Sequence, residues 1–137
     1  MPSNGTYLGF DPGLRRLGVA VGESITRHAR ALDVLRCQAG DPDWNVLTDL
    51  VKQWNPRALI VGVPRHADGS ASESTRLAQR FAGRLAEHTR RSVHCIDERL
   101  SSHAAAEALR ERGAQSDVLD AEAARIILET WLSEQPI

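Results

Sequence analysis

Asp11 in the run Gly9-Phe10-Asp11-Pro12-Gly13, Glu98 in Asp97-Glu98-Arg99, and Asp120 at the opening of the last amphipathic segment are the residues whose types and positions could do chemistry. Each stands where an apolar element begins or ends. Carboxylates gathered at the edge of a core repel one another and lose hydration, which costs free energy unless a cation compensates. Magnesium or manganese is the natural cation for oxygen-only ligands. The expectation is therefore a divalent-metal site built from Asp11, Glu98 and Asp120.

Each acid also has a plainer reading. Aspartate before Pro-Gly favours turns, and a carboxylate in a first helical turn is favoured by the helix dipole. Two features argue for more. Gly13 and Gly18 let a backbone or a phosphate come close, and Arg15 and Arg16 sit at the same tip. Asp120, Ala124, Ile127 and Trp131 follow at intervals of 4, 3 and 4, which projects the acid from a packing face. In a continuing strand Asp97 and Glu98 point to opposite faces, so only one of them shares a site with Asp11. Glu98 is the choice, and Asp97 is left to cap the turn or hold Arg99.

The elements that must position these acids follow from periodicity and punctuation. Tyr7 to Asp11 and Leu17 to Gly22 read as a β-hairpin around Pro12-Gly13, with a third strand within Ala29 to Arg36. Asp43 to Trp54 places Trp44, Leu47, Val51 and Trp54 on one helical face and stops at Pro56. Leu59 to Val63 is an apolar run suited to a parallel strand buried on both faces. Pro64 to Ser72 is a polar loop. A helix from about Ser72 to His88 is expected to bury Leu77, Phe81 and Leu85, with Arg76, Arg80 and Arg84 along an adjacent, solvated stripe paired partly with Glu73. Ser92 to Ile96 is a further strand. Ser102 to Arg112 reads as a helix stopped by Gly113, and Leu119 to Ser133 as a last helix carrying Ala123, Ile127 and Trp131 inward. The order β-β-β-α-β-α-β-α-α predicts an α/β fold, an antiparallel hairpin unit followed by parallel crossovers, in one domain over residues 1–137.

Composition is that of a globular domain, with 42% hydrophobic and 26% charged residues among 137. The net charge of −1 conceals two poles: seven arginines against three acids from Arg57 to Arg91, and four arginines against nine acids from Ser92 to Ile137. Lys52 is the one lysine among seventeen basic residues, and arginine's planar fork suits phosphate. Cys37 and Cys95 lack metal-ligand spacing, and no signal peptide is recognised, so free thiols in a reducing, cytoplasmic setting are expected. No apolar run approaches the ~18 residues of a membrane span.

These residues resemble a known family. Gly9-Phe10-Asp11-Pro12-Gly13 with Gly18-Val19-Ala20-Val21, Ile60-Val61-Gly62-Val63-Pro64 with Asp68-Gly69, Asp97-Glu98-Arg99-Leu100-Ser101, and Asp120-Ala121-Glu122-Ala123-Ala124 look like the four motifs of the YqgF family, also called RuvX, in order and spacing. The resemblance covers nearly the whole chain. It implies a ribonuclease H-like fold related to RuvC resolvases, with a mixed five-stranded sheet flanked by helices, and a nuclease that processes the 5′ end of the 16S ribosomal RNA precursor. It implies catalytic and metal-binding roles for Asp11, Glu98 and Asp120, two Mg²⁺ or Mn²⁺ ions, and precursor rRNA or a pre-ribosomal particle as partner, for a monomer or weak homodimer. Arg15, Arg16, Arg65, Arg76 and Arg99 are the expected phosphate contacts. The loop Arg65-His66-Ala67 departs from the Leu-Asn-Met of many relatives. Two other readings stand beside this one, a Holliday junction resolvase-like DNA endonuclease and a non-catalytic RNA-binding or ribosome-assembly module. An actin-like ATPase loop at Asp11-Pro12-Gly13 would require a second lobe for which 137 residues leave no room.

Overall fold

The computed structural model describes residues 5–98 and 117–135. Strands β1 (Thr6–Asp11), β2 (Arg16–Glu23), β3 (His28–Gln38), β4 (Asp41–Pro42), β5 (Ala58–Val63) and β6 (Val93–Asp97) alternate with helices α1 (Trp44–Trp54), α2 (Glu73–Thr89) and α3 (Asp117–Glu134). They form one six-stranded sheet in the order β4-β3-β2-β1-β5-β6. β1, β2 and β3 pair antiparallel, whereas β1–β5 and β5–β6 are parallel. This is the expected mixed sheet with one strand more than the five expected.

The extra strand, β4, pairs Asp41 and Pro42 with the end of β3. It exists because Ala39 and Gly40 both adopt positive φ, at 51° and 88°, which turns the chain tightly back on itself. Ala-Gly is a weak signal for such a turn, since only the glycine adopts this conformation without strain.

Alternation along the strands divides the core into two. Leu8, Phe10, Leu17, Val19, Val21, Leu59 and Val61 face α1 and α2, where they meet Leu47, Val51, Phe81 and Leu85. Tyr7, Ala20, Ala58, Ile60 and Ile96 face α3, against Ala124, Ile127, Leu128 and Leu132. β5 is buried along its full length, as a central parallel strand should be.

Local chemistry sets the helix ends. Asp43 caps α1 by accepting from the backbone N–H groups of Asn45 and Val46, and Asn55 closes it in the left-handed conformation ahead of Pro56. Ser72 and Thr75 form a reciprocal capping box at α2. The Thr75 hydroxyl also donates to the Pro64 carbonyl, tying the helix start to the end of β5.

Two side-chain expectations change. In α2 the buried residues are Thr75, Ala78, Phe81, Ala82 and Leu85, while Leu77 is half-buried at the margin. Arg80 and Arg84 are not paired with Glu73. Arg80 donates to the Ala39 carbonyl at 3.0 Å and Arg84 bonds Asp41 at 2.6 Å, so the stripe docks α2 on the β3–β4 turn. In α3, Ala123 and Ile127 are buried as expected, and Trp131 is partly covered, tilted against Tyr7 and stacked on His94. The helix expected over Ser102 to Arg112 and the stop at Gly113 lie outside the described residues.

Val61 is fully buried at the centre of the sheet. Val61→Asp should lower unfolding free energy by about 4 kcal/mol or more, because the strand offers a new carboxylate no water and no cation. Chemical denaturation measures this, and a loss under about 1 kcal/mol would contradict the packing described.

Candidate active site

The face of the sheet under α3 is lined by small residues: Gly9, Gly18, Ala20, Gly22, Ala58 and Gly62. A Cβ on Gly9 would lie 2.6 Å from the Leu128 Cβ, and one on Gly18 would collide with the backbone carbonyl of Asp120. The absence of side chains lets α3 lie nearly on the strand backbones, with its first turn over Gly18.

That seating carries the acids together at one end of the sheet. Asp11 is the last residue of β1, registered opposite Gly18, and shares the α3 face with Tyr7 and Gly9. It is 9% exposed. Glu98 follows β6 and, two residues after the α3-facing Ile96, turns to the same side; it is 6% exposed. A Cβ on Gly62 would stand 2.7 Å from Glu98 Oε1, so the glycine leaves the hollow in which this carboxylate rests. Asp120 arrives from above in the first turn of α3. The three expected acids therefore converge on one face, and strand alternation directs Asp97 to the other.

The carboxylates do not stand as a ready-made cage. Among the described residues, no three His, Cys, Asp or Glu side chains are grouped closely enough to hold a metal ion. Asp120 Oδ2 is 2.8 Å from Arg16 Nε, in a pair whose side chains are 14% and 29% exposed respectively. Arg16 opens β2 on the α3 face, in the same row as Gly18, Ala20 and Gly22. Its guanidinium lies against the third acid of the set.

The other expected arginines fall differently. Arg15 is exposed in the β1–β2 loop. Arg65 turns into its own loop, donating to the Gly69 carbonyl at 3.4 Å. That loop is held by Asp68, which accepts from the Ser70 hydroxyl and backbone N–H; both bonds hold its carboxyl below the usual range. Arg76 is exposed in the first turn of α2, which packs on the opposite face of the sheet from α3. Arg99 lies outside the described residues. Cys37 supplies no nucleophile: burial, then the negative charge of Asp41, pushes its thiol up to about 11.

Sequence reasoning passed over Arg36. It is paired with Arg16 across β2 and β3, which places both side chains on the α3 face. The signal lay in the antiparallel register, which a single sequence does not give.

A family model described as "RuvX: Holliday junction resolvase" matches residues 5–134. The chain belongs to the RuvX family. A protein of Nitrosococcus oceani named "Putative pre-16S rRNA nuclease" is 46% identical over 93% of this chain and 86% of its own length. One of Azotobacter vinelandii with the same name is 46% identical over 94% of both chains. Among solved structures, Thermus thermophilus RuvC in complex with a Holliday junction substrate superposes with a TM-score of 0.55 at 20% identity, covering 93% of this chain and 92% of that one. The fowlpox virus Holliday junction resolvase gives 0.54 at 11% identity, over 95% and 99%. At such identities the likeness bears on the fold alone, and it is the ribonuclease H-like fold of RuvC.

Two glycines of this RuvX chain make a paired prediction. Gly18→Ala should destabilise by about 1–3 kcal/mol, because its Cβ meets backbone that cannot rotate away. Gly83→Ala, in mid-α2 with open space around it, should stabilise by about 0.5–1 kcal/mol. Equal shifts in the two melting curves would show that α3 does not seat as closely as described.

Proposed function

We propose that this chain is a metal-dependent nuclease that hydrolyses phosphodiester bonds in the 5′ flank of 16S ribosomal RNA precursor, with Asp11, Glu98 and Asp120 as its catalytic acids. One observation carries the reading: carboxylates from the end of β1, the end of β6 and the first turn of α3 lie on one face at one end of the sheet, two of them nearly buried. Membership of RuvX, and close relatives named for pre-16S rRNA nuclease activity, support the substrate.

The donor set is oxygen only, which fits Mg²⁺ or Mn²⁺. The hollow at Gly62 that accommodates Glu98 keeps that carboxylate on the site face without a competing side chain. Asp11, Glu98 and Asp120 would hold the ions, two in this proposal. When bound, such ions supply charge for the entering and leaving oxygens of an in-line displacement. The chain's own residues do the rest. Asp11 and Glu98, fixed by the ends of β1 and β6, set the position of the reacting phosphate. Asp120 must exchange its Arg16 contact to join them. Arg16, once displaced, remains beside the site as a donor to phosphate. With no thiol in the set, water is the nucleophile.

The test is cleavage of precursor RNA, single-stranded DNA and four-way junctions by wild type and Asp11→Asn. Wild-type cleavage of RNA should need Mg²⁺ or Mn²⁺ and stop with excess chelator. Asp11→Asn should lose at least about a hundredfold in rate while melting at or slightly above the wild-type temperature without metal, since one clustered charge is gone. Full activity in chelator would rule out the metal reading. A markedly lower melting temperature for Asp11→Asn would make that aspartate structural. Paired symmetric cuts in junctions, faster than RNA cleavage in the same salt, would favour the resolvase reading.

A further inference from the structure

Asp11 is followed at once by the tip of the β1–β2 hairpin, Pro12-Gly13-Leu14-Arg15. Leu14 is 61% exposed, one of three large apolar side chains so placed among the described residues, with Ile25 and Val46. Val46 lies on α1, and Ile25 at the β2–β3 turn, the opposite end of these strands. An isolated exposed leucine is ordinary. This one stands three residues from a candidate catalytic acid, a stretch of chain that spans at most about 11 Å. Arg15, beside it, is exposed as well.

The tip is held by its own backbone. The Gly40 N–H donates to the Leu14 carbonyl at 3.0 Å and the Cys37 N–H to the Arg15 carbonyl at 2.8 Å, which bonds the tip to β3 and to the β3–β4 turn. Gly13 closes the bend tightly, since a Cβ there would lie 2.8 Å from the Arg16 carbonyl oxygen. A leucine on a loose loop could fold back on its own chain. On a bonded tip its apolar surface stays presented, and the partner that covers it bears little cost of ordering the loop. The β5–α2 loop, at the same end of the sheet, is different in kind. Residues 64–72 carry no large apolar side chain, and their polar groups are bonded within the loop, Asp68 to Ser70 and Arg65 to Gly69.

A nucleotide presents an anion and, on its base, an apolar face; a leucine beside an arginine offers a partner to each. In a stacked duplex the base faces are hidden, and an apolar side chain reaches one only where bases stand apart or are pried apart at a cost. Resting on the nuclease reading, we propose that Leu14 packs against an unstacked base of the strand being cut, beside the scissile bond, with Arg15 on the phosphate of that nucleotide. The tip then selects single-stranded RNA over duplex. It covers a base face and reads no base edge, so the selection is for strandedness and not for sequence.

The test is equilibrium binding of a mixed-sequence single-stranded RNA 20-mer, and of the same sequence as a duplex, over a range of salt concentrations without added metal. Leu14→Ala should weaken binding of the single strand about fivefold, leave duplex binding within twofold, and keep the wild-type melting temperature. Its slope of log K against log salt should equal that of wild type, because no charge is removed. Arg15→Ala should reduce that slope by about 0.7. Leu14→Phe, which keeps an apolar face, should bind the single strand at least as tightly as wild type. Ile25→Ala, an exposed apolar residue at the far end of the strands, is the control and should change neither affinity. Single-strand binding by Leu14→Ala equal to wild type, an equal loss on the duplex, or an equal loss in Ile25→Ala overturns the proposal and leaves the nuclease reading intact. A wild-type protein that binds neither RNA overturns both.

Discussion

The close approach of α3 to the sheet is the constraint on which the rest depends. A helix normally rests on a sheet with a layer of side chains between them. Here Gly9, Gly18, Gly22 and Gly62 leave that layer thin, and Ile127, Leu128 and Leu132 fill what remains. Burying those three apolar side chains contributes about 1.5–3 kcal/mol each. That burial pins the first turn of α3 over Gly18 and so delivers Asp120 to the ends of β1 and β6. Glycine in a strand is usually a weakness. In this face it is the condition for assembling the site, since a side chain at Gly18 or Gly62 would displace an acid directly.

Delivering three acids to one place creates an electrostatic problem that the fold meets in part from within. Asp11 and Glu98 are shielded from water. Arg16 brings a positive charge against Asp120. A pair of this partial exposure contributes on the order of 1 kcal/mol or less. The arrangement holds Asp120 without committing it. Under the proposed reading, a divalent ion held by these acids would compete with one guanidinium.

Much of the frame was legible in the chain itself. Alternation placed Glu98, and not Asp97, with Asp11, and the spacing of Asp120, Ala124 and Ile127 placed the third acid on the packing face of α3. Continuous apolar strands and cap residues marked β5 and α1. What escaped notice depended on contacts distant in sequence. The β4 pairing follows from positive φ at Ala39, which an alanine does not advertise. Leu77 is half-buried beside Gly40 in the β3–β4 turn, while Ala78 is fully buried. The contact of Arg16 with Asp120, more than a hundred residues away, is of this kind.

The basic segment from Arg57 to Arg91 illustrates why charge counts alone do not locate a substrate. Four of its seven arginines use donors within the chain: Arg65 to Gly69, Arg80 to Ala39, Arg84 to Asp41 and Arg91 to Pro56. Three of these bonds end on backbone carbonyls, which are satisfied by such donors and carry no net charge to compensate. Their guanidinium charges still add to the long-range attraction of a polyanion. Their positions, however, are dictated by loop and helix packing and not by the acids. Arg16, by contrast, lies against one of the acids, Asp120. The RuvC fold leaves the choice of substrate to such local surfaces.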